Sequence, residues 1–102
     1  MTQTGSPQIF AIDWDGTFNA APDLWSEFAA RAQSRGHRVY VVTARRDTDE
    51  ARAEIRSMLR EHDCVLPIVF TEMGSKLHAM RERGVKVDVW IDDEPQTVIS
   101  GR

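Results

Sequence analysis

The chain has 102 residues, 41% of them hydrophobic, which predicts one domain with one modest core. Its net charge of −3 gives no broad basic field for nucleic acid, and its one cysteine, Cys64, excludes an intramolecular disulfide framework. No stretch approaches the ~18 to 20 apolar residues that cross a bilayer, and residues 1–8 are polar and lack the basic-then-apolar order of a signal peptide. These features predict a cytoplasmic protein without a membrane partner, with a flexible tail at residues 1–8 and a single domain at residues 9–102.

Short apolar runs alternate with helical patterns along the chain. This order predicts an α/β fold, a small Rossmann-like three-layer sandwich with a mostly parallel sheet of four to five strands. The first strand covers residues 9–12, whose near-continuous hydrophobicity indicates a central position. The following helix is expected to begin near Pro22, to bury a stripe headed by Leu24, and to end before Gly36.

The middle of the chain predicts a second strand, a second helix and a third strand. The second strand covers residues 38–42, and Asp47 is expected to cap the helix after it, with Glu50 as capping-box partner. The third strand, at residues 68–70, follows Pro67. Because proline cannot donate to a strand ladder, this strand is predicted at an edge of the sheet.

The last third of the chain predicts a helix at residues 75–83, closed by Gly84, and a strand at residues 85–91. At most one further short strand fits, near residues 97–100. The connections between these elements are short, so the sequence predicts no cap domain.

Polar residues follow the ends of three predicted strands. Asp13, Thr43 and Asp92 each come directly after an apolar run. The carboxyl ends of parallel strands lie at one edge of the sheet, where open α/β sheets bind ligands. The three side chains are therefore expected to converge.

Carboxylates dominate this expected cluster. The segment DWDGT places Asp13 and Asp15 two residues apart, and the fourth strand adds Asp92 and Asp93. Carboxylates this close repel one another, and a hard cation such as Mg²⁺, which prefers oxygen ligands, relieves the repulsion. Trp14 either packs beside this site or stacks on a substrate base.

Thr43 contributes a hydroxyl donor, and Lys76 contributes an ammonium group at the start of a helix. A cation site with a donor and an ammonium suits a phosphoryl group better than a neutral substrate. The sequence leaves open whether Lys76 or an arginine, Arg45 or Arg46, supplies the positive charge.

Four motifs in this order resemble those of the haloacid dehalogenase superfamily: DxDGT at residues 13–17, a strand ending in Thr43, then Lys76, and a strand ending in Asp-Asp at residues 92–93. The resemblance spans residue 9 to about residue 94. It implies that Asp13 is a nucleophile that forms an aspartyl-phosphate, and that Asp15 is the general acid and base.

The resemblance also implies the remaining roles. Thr43 and Lys76 would hold the phosphoryl oxygens. The implied substrate-binding set is completed by Gly16, Thr17, Ala44 and Arg45. Mg²⁺ would bind the side chains of Asp13 and Asp92 and the backbone carbonyl of Asp15, with Asp93 adjacent.

Within the superfamily, the chain looks most like capless members such as the phosphatase domain of phage polynucleotide kinase, in which an arginine stands two positions after the second motif, as Arg45 does here. That likeness implies a phosphorylated small molecule or a nucleic-acid phosphate end as substrate. A homo-oligomer or a partner chain could cover the open site. The alternative is a binding or regulatory module with little turnover; the acid at Asp15 favours the enzyme.

Overall fold

A four-stranded parallel sheet forms the centre of the molecule in the computed structural model, which describes residues 6–101. The strands are β1 at Ile9–Ile12, β2 at Arg38–Thr43, β3 at Ile68–Phe70 and β4 at Val89–Ile91. They lie in the order β3-β2-β1-β4, and all neighbouring pairs are parallel. This sheet confirms the predicted α/β class, and β3 lies at an edge, as its preceding proline predicts.

Helices connect the strands. They are α1 at Pro22–Ser34, α2 at Asp49–Glu61, α3 at Lys76–Glu82 and α4 at Gln96–Ser100, and a short helical turn at Trp14–Phe18 follows β1. Within the described residues, no separate cap domain interrupts this series.

The two faces of the sheet carry separate apolar cores, because successive side chains of a strand point to opposite faces. One face packs against α1 and α2 through a cluster that includes Ile12, Val41, Ala29, Ile55 and Leu59. The other face packs against α3 through Ala11, Tyr40, Val42, Val69 and Met80. The sheet is therefore the middle of three layers.

The predicted buried stripe of α1 is wrong at its first position. Leu24 is 58% exposed, whereas Ala29 and Ala32 are buried and Phe28 is half-buried. The first turn of α1 lies beside the strand ends rather than over the sheet face, since Leu24 shares a groove with Ile91 at the end of β4. The helical period is right, but Leu24 lines an open groove instead of the core.

The predicted cap of α2 is also wrong by one residue. The N-cap is Thr48, whose hydroxyl oxygen accepts the backbone N–H of Ala51 at 3.1 Å. Asp47 instead accepts hydrogen bonds from the guanidinium of Arg52. Both residue types can cap a helix, but the carboxylate of Asp47 is paired with Arg52 instead.

The C-terminal third differs from its prediction in two elements. The fourth strand contains only Val89–Ile91, and residue 85, the predicted start of the strand, instead closes α3, since the backbone N–H of Val85 donates to the carbonyl of Met80 at 3.0 Å. Residues 97–100 belong to helix α4 and not to a strand. The helix begins directly after Pro95, whose fixed φ suits a helix start.

The predicted tail lies mostly outside the described residues, which begin at residue 6. Of its described part, Gln8 is attached to the domain, since its backbone N–H donates to Nδ1 of His37 at 2.8 Å. In the part of the chain that the structure describes, no helix has the length and apolar composition needed to span a bilayer.

Thr48→Ala tests the observed helix cap. We expect the free energy of unfolding to fall by about 1 kcal/mol, because the variant removes the oxygen that accepts the Ala51 N–H. Urea unfolding followed by circular dichroism measures the change. Asp47→Ala is the matched control and should change stability less, since it removes only a solvent-exposed ion pair. A larger loss in Asp47→Ala than in Thr48→Ala would contradict the assignment of the cap.

Candidate active site

A buried lysine joins two strand ends at the carboxyl edge of the sheet. The Nζ atom of Lys76, the first residue of α3, lies 2.7 Å from Oδ1 of Asp13 and 2.6 Å from Oδ2 of Asp92. All three side chains are at most 3% exposed. The structure thus places Lys76, and neither Arg45 nor Arg46, as the cation beside Asp13 after β1 and Asp92 after β4.

Three carboxylates share this edge. One oxygen each from Asp13, Asp92 and Asp93 lies within 4.8 Å of the others. Burial, with smaller contributions from the neighbouring Asp93 and Asp92, raises the pKa of Asp13 to about 6 against the opposing effect of Lys76. The ammonium of Lys76 therefore does not cancel the effect of burial on Asp13.

These donors fit a hard divalent cation. Every ligand that the group of Asp13, Asp92 and Asp93 offers is a carboxylate oxygen, the ligand type that Mg²⁺ and Ca²⁺ prefer. Asp93 is exposed, which gives an ion a route to the buried pair. The group could hold a metal ion, and the repulsion among its members is the physical reason to do so.

Thr17 links the carboxylates from the turn after β1. Its hydroxyl lies 3.4 Å from Oδ2 of Asp13 and 3.3 Å from Oδ1 of Asp93, and it accepts the backbone N–H of Asp93 at 3.2 Å. Thr17 is buried, so its contacts are with the acidic residues themselves. The residue that the resemblance implied for substrate binding thus orients the acidic group.

Gly16 allows Asp93 to approach this turn. Its φ of +81° is unfavourable for residues with a side chain, and a Cβ atom there would lie 2.5 Å from Oδ2 of Asp93. Glycine is thus required both by the backbone conformation and by the space that Asp93 occupies.

Asp15 points away from the other carboxylates, toward an arginine. Its two oxygens accept hydrogen bonds from Nε and a terminal nitrogen of Arg45 at 3.0 and 2.8 Å. The same terminal nitrogen lies 2.9 Å from Glu54. Hydrogen bonding to Asp15, and then to Glu54, raises the pKa of Arg45 above its usual range, so its charge is fixed.

Glu54 is a residue that the sequence reasoning missed. It lies on α2 directly before the buried Ile55, so the helical period places it on the flank of the buried face. That period was readable from the sequence. Its pairing with Arg45 depends on the path of the loop after β2. No pattern in the sequence of that loop predicts this path.

The loop after β2 is fixed by backbone hydrogen bonds. Thr43 is fully buried, and its hydroxyl oxygen accepts the N–H of Arg45 at 3.3 Å. The carbonyl of Ala44 accepts the N–H of Met73, in the loop after β3, at 2.8 Å. Thr43, at the end of β2, and Arg45, in the loop held by these hydrogen bonds, therefore lie at the same edge as Asp13.

Trp14 does not reach the edge where a substrate could bind. Its side chain is fully buried and stacks on Phe18, with ring centroids 5.0 Å apart. Of the two sequence interpretations, packing beside the site is therefore the one that the structure confirms.

No protein-family model, curated protein or solved structure matches this chain.

Gly16→Ala should destabilise the fold and also weaken Mg²⁺ binding. The positive φ alone should lower the free energy of unfolding by about 1 kcal/mol, and the added Cβ forces Asp93 to move. Gly36→Ala is the matched control, because Gly36 has a φ of +89° and open space around it. We expect both variants to lose stability and only Gly16→Ala to shift a Mg²⁺ titration followed by NMR. Binding of Mg²⁺ by both variants with equal affinity would contradict the close approach of Asp93 to Gly16.

Without a metal ion, the stability of Asp13→Asn relative to the wild type should rise as the pH rises. The pKa of Asp13 is raised from 3.8 to about 6, so its ionisation opposes folding, and the wild type loses stability as the pH rises through this interval. Urea unfolding at several values between about pH 4 and pH 7 measures the difference between the two proteins.

Asp47→Asn is the control, because the pH dependence of its stability relative to the wild type should have a different origin, a lowered instead of a raised pKa. Arg52 holds the pKa of Asp47 below its usual range, so the wild-type advantage over Asp47→Asn should shrink as the pH falls. A difference between Asp13→Asn and wild type that is independent of pH would contradict the raised pKa of Asp13.

Proposed function

We propose that this chain is a Mg²⁺-dependent phosphomonoesterase of the haloacid dehalogenase type, with Asp13 as nucleophile. The observation that carries the proposal is the buried contact of Lys76 with Asp13 and Asp92, beside the exposed Asp93. A nucleophilic carboxylate has to approach an anionic phosphoryl group, and an ammonium and a cation site next to it reduce the repulsion.

The proposed first step forms an aspartyl-phosphate. A carboxylate oxygen of Asp13 attacks phosphorus, the bond from phosphorus to the ester oxygen breaks, and the carboxyl group of Asp15 gives its proton to the departing oxygen. The alcohol leaves, and Asp15 is left ionised.

The proposed second step restores the nucleophile. Asp15 takes a proton from water, whose oxygen attacks the same phosphorus, and the bond to Asp13 breaks. Inorganic phosphate leaves, Asp13 is again a carboxylate, and Asp15 is again protonated. Mg²⁺ held by Asp13, Asp92 and Asp93, with the Asp15 carbonyl as a further proposed ligand, would neutralise charge on the phosphoryl oxygens.

Arg45 has two uses in this proposal. It occupies both oxygens of Asp15, so it has to release at least one of them before Asp15 can reach a leaving oxygen. The released guanidinium can then donate to the phosphoryl oxygens together with Lys76 and the hydroxyl of Thr43. Glu54 would keep Arg45 near the site during the exchange, since it holds the same terminal nitrogen.

The proposed substrates are phosphorylated small molecules or nucleic-acid phosphate ends, met in the cytoplasm. No cap lies over the edge in the described residues, so a bulky ester can approach, or a second copy or partner chain can supply a lid. A regulatory module with little turnover is the second candidate. The observation in its favour is that Arg45 holds both oxygens of Asp15.

Asp13→Asn should abolish phosphate release while the protein remains folded, because the amide replaces the attacking oxygen. The assay measures release with Mg²⁺ from a generic aryl phosphate and from a 3′-phosphorylated oligonucleotide, and circular dichroism checks the fold. Asp47→Asn, which lies outside the site, should keep wild-type turnover. Turnover in Asp13→Asn at the wild-type rate would reject Asp13 as nucleophile. A folded wild type that releases no phosphate would favour the regulatory module.

A further inference from the structure

An apolar groove opens directly beside the carboxylate group. It has a volume of about 360 Å³ and lies between the start of α1 and the end of β4. Its apolar wall consists of Ala20, Ala21, Leu24, Trp25 and Ile91. Thr17, Asp92 and Asp93 form its opposite wall, so the groove and the proposed catalytic site share residues.

Leu24 is the residue that most clearly distinguishes this groove from ordinary surface. The side chain is 58% exposed although it belongs to the apolar pattern of α1. A single exposed leucine is common, but this one lines a concave surface that continues into a group of buried ionisable residues. The groove is connected to Asp13 through Thr17, which lines it and whose hydroxyl lies 3.4 Å from Oδ2 of Asp13.

The charge of the groove restricts what can occupy it. Asp92 and Asp93 are its charged residues, and none of the described residues that line it is a lysine, arginine or histidine. The positive groups of the site, Lys76 and Arg45, do not line it. A carboxylate would lose its hydration against the apolar wall of the groove, whereas a neutral apolar group would be favourably buried there.

We infer that the groove binds an uncharged, apolar part of the substrate, such as an aromatic ring carried by the alcohol of the phosphate ester. This inference rests on the proposed function and adds the substrate class. The phosphoryl group faces Lys76, Thr43 and Arg45, and the organic group lies against Leu24 and Trp25. Esters whose organic part carries a charge are disfavoured, because the charge would lose its hydration against the apolar wall of the groove.

Binding of non-hydrolysable phosphonates tests the inference without turnover. With Mg²⁺ present, phenylphosphonate should bind about tenfold more tightly than methylphosphonate, because the ring is removed from water. A carboxylate added at the para position of the ring should remove most of this gain. Isothermal titration measures the affinities, and methyl NMR signals of Ala20, Ala21 and Leu24 should move with phenylphosphonate only.

Leu24→Ala and Leu24→Lys test whether the preference for the ring arises in the groove. Leu24→Ala should lose most of the preference for the ring and leave methylphosphonate binding unchanged. Leu24→Lys should bind the carboxylated ring more tightly than the unsubstituted one. Val65→Lys is the matched control, since Val65 is 86% exposed and lines a different surface, so it should behave like the wild type.

Two failures are distinguishable. If methylphosphonate and phenylphosphonate bind equally well and the Leu24 variants change neither affinity, the groove inference is overturned while the phosphatase proposal stands. The groove inference is also overturned if the ring is preferred but Leu24→Lys and Val65→Lys behave alike. If no phosphonate binds and no phosphate is released from any ester, the proposed function fails, and the inference fails with it.

Discussion

The contact of Lys76 with Asp13 and Asp92 is the interaction on which the arrangement of this edge depends. Charges this deeply buried are tolerated only when each has a partner at short distance, and removal of one partner leaves an uncompensated charge. The contact fixes the start of α3 relative to the ends of β1 and β4. The three elements are distant in sequence. The contact therefore forms only when β1, β4 and α3 have come together in the folded protein.

The edge has two chemically different flanks, one on each side of the ammonium group of Lys76. Toward β2, Arg45 and the hydroxyl of Thr43 supply donors for an anion, and Glu54 and Asp15 hold the guanidinium in reach. Toward β4, the surface is acidic at Asp93 and then becomes apolar. The proposed substrate, a phosphate ester, is anionic at one end and organic at the other, so its two ends would match the two flanks.

Sequence reasoning predicted the strand ends well, because continuous apolar runs and the parallel crossover rule suffice to place Asp13, Thr43 and Asp92 on one edge. It failed where two local solutions have similar energies or where a periodic apolar position lies outside the core. Thr48 and Asp47 are both competent caps, and only the pairing of Asp47 with Arg52 separates them. Leu24 obeys the helical period, but the period cannot reveal that the residue lines an open groove instead of the core.

Asp13 is the residue at which stability and proposed chemistry conflict. Its burial, together with Asp93 and Asp92, raises its pKa to about 6, so the ionised form that would attack phosphorus is the form that opposes folding. Lys76 reduces this conflict without removing it, since the pKa of Asp13 stays raised although the ammonium lies 2.7 Å from its carboxylate. A cation bound by Asp13, Asp92 and Asp93 would stabilise the fold and the nucleophilic state together, because it would bind the folded chain and favour ionised ligands. The burial that raises the pKa of Asp13 in the metal-free protein would then be offset by the bound ion.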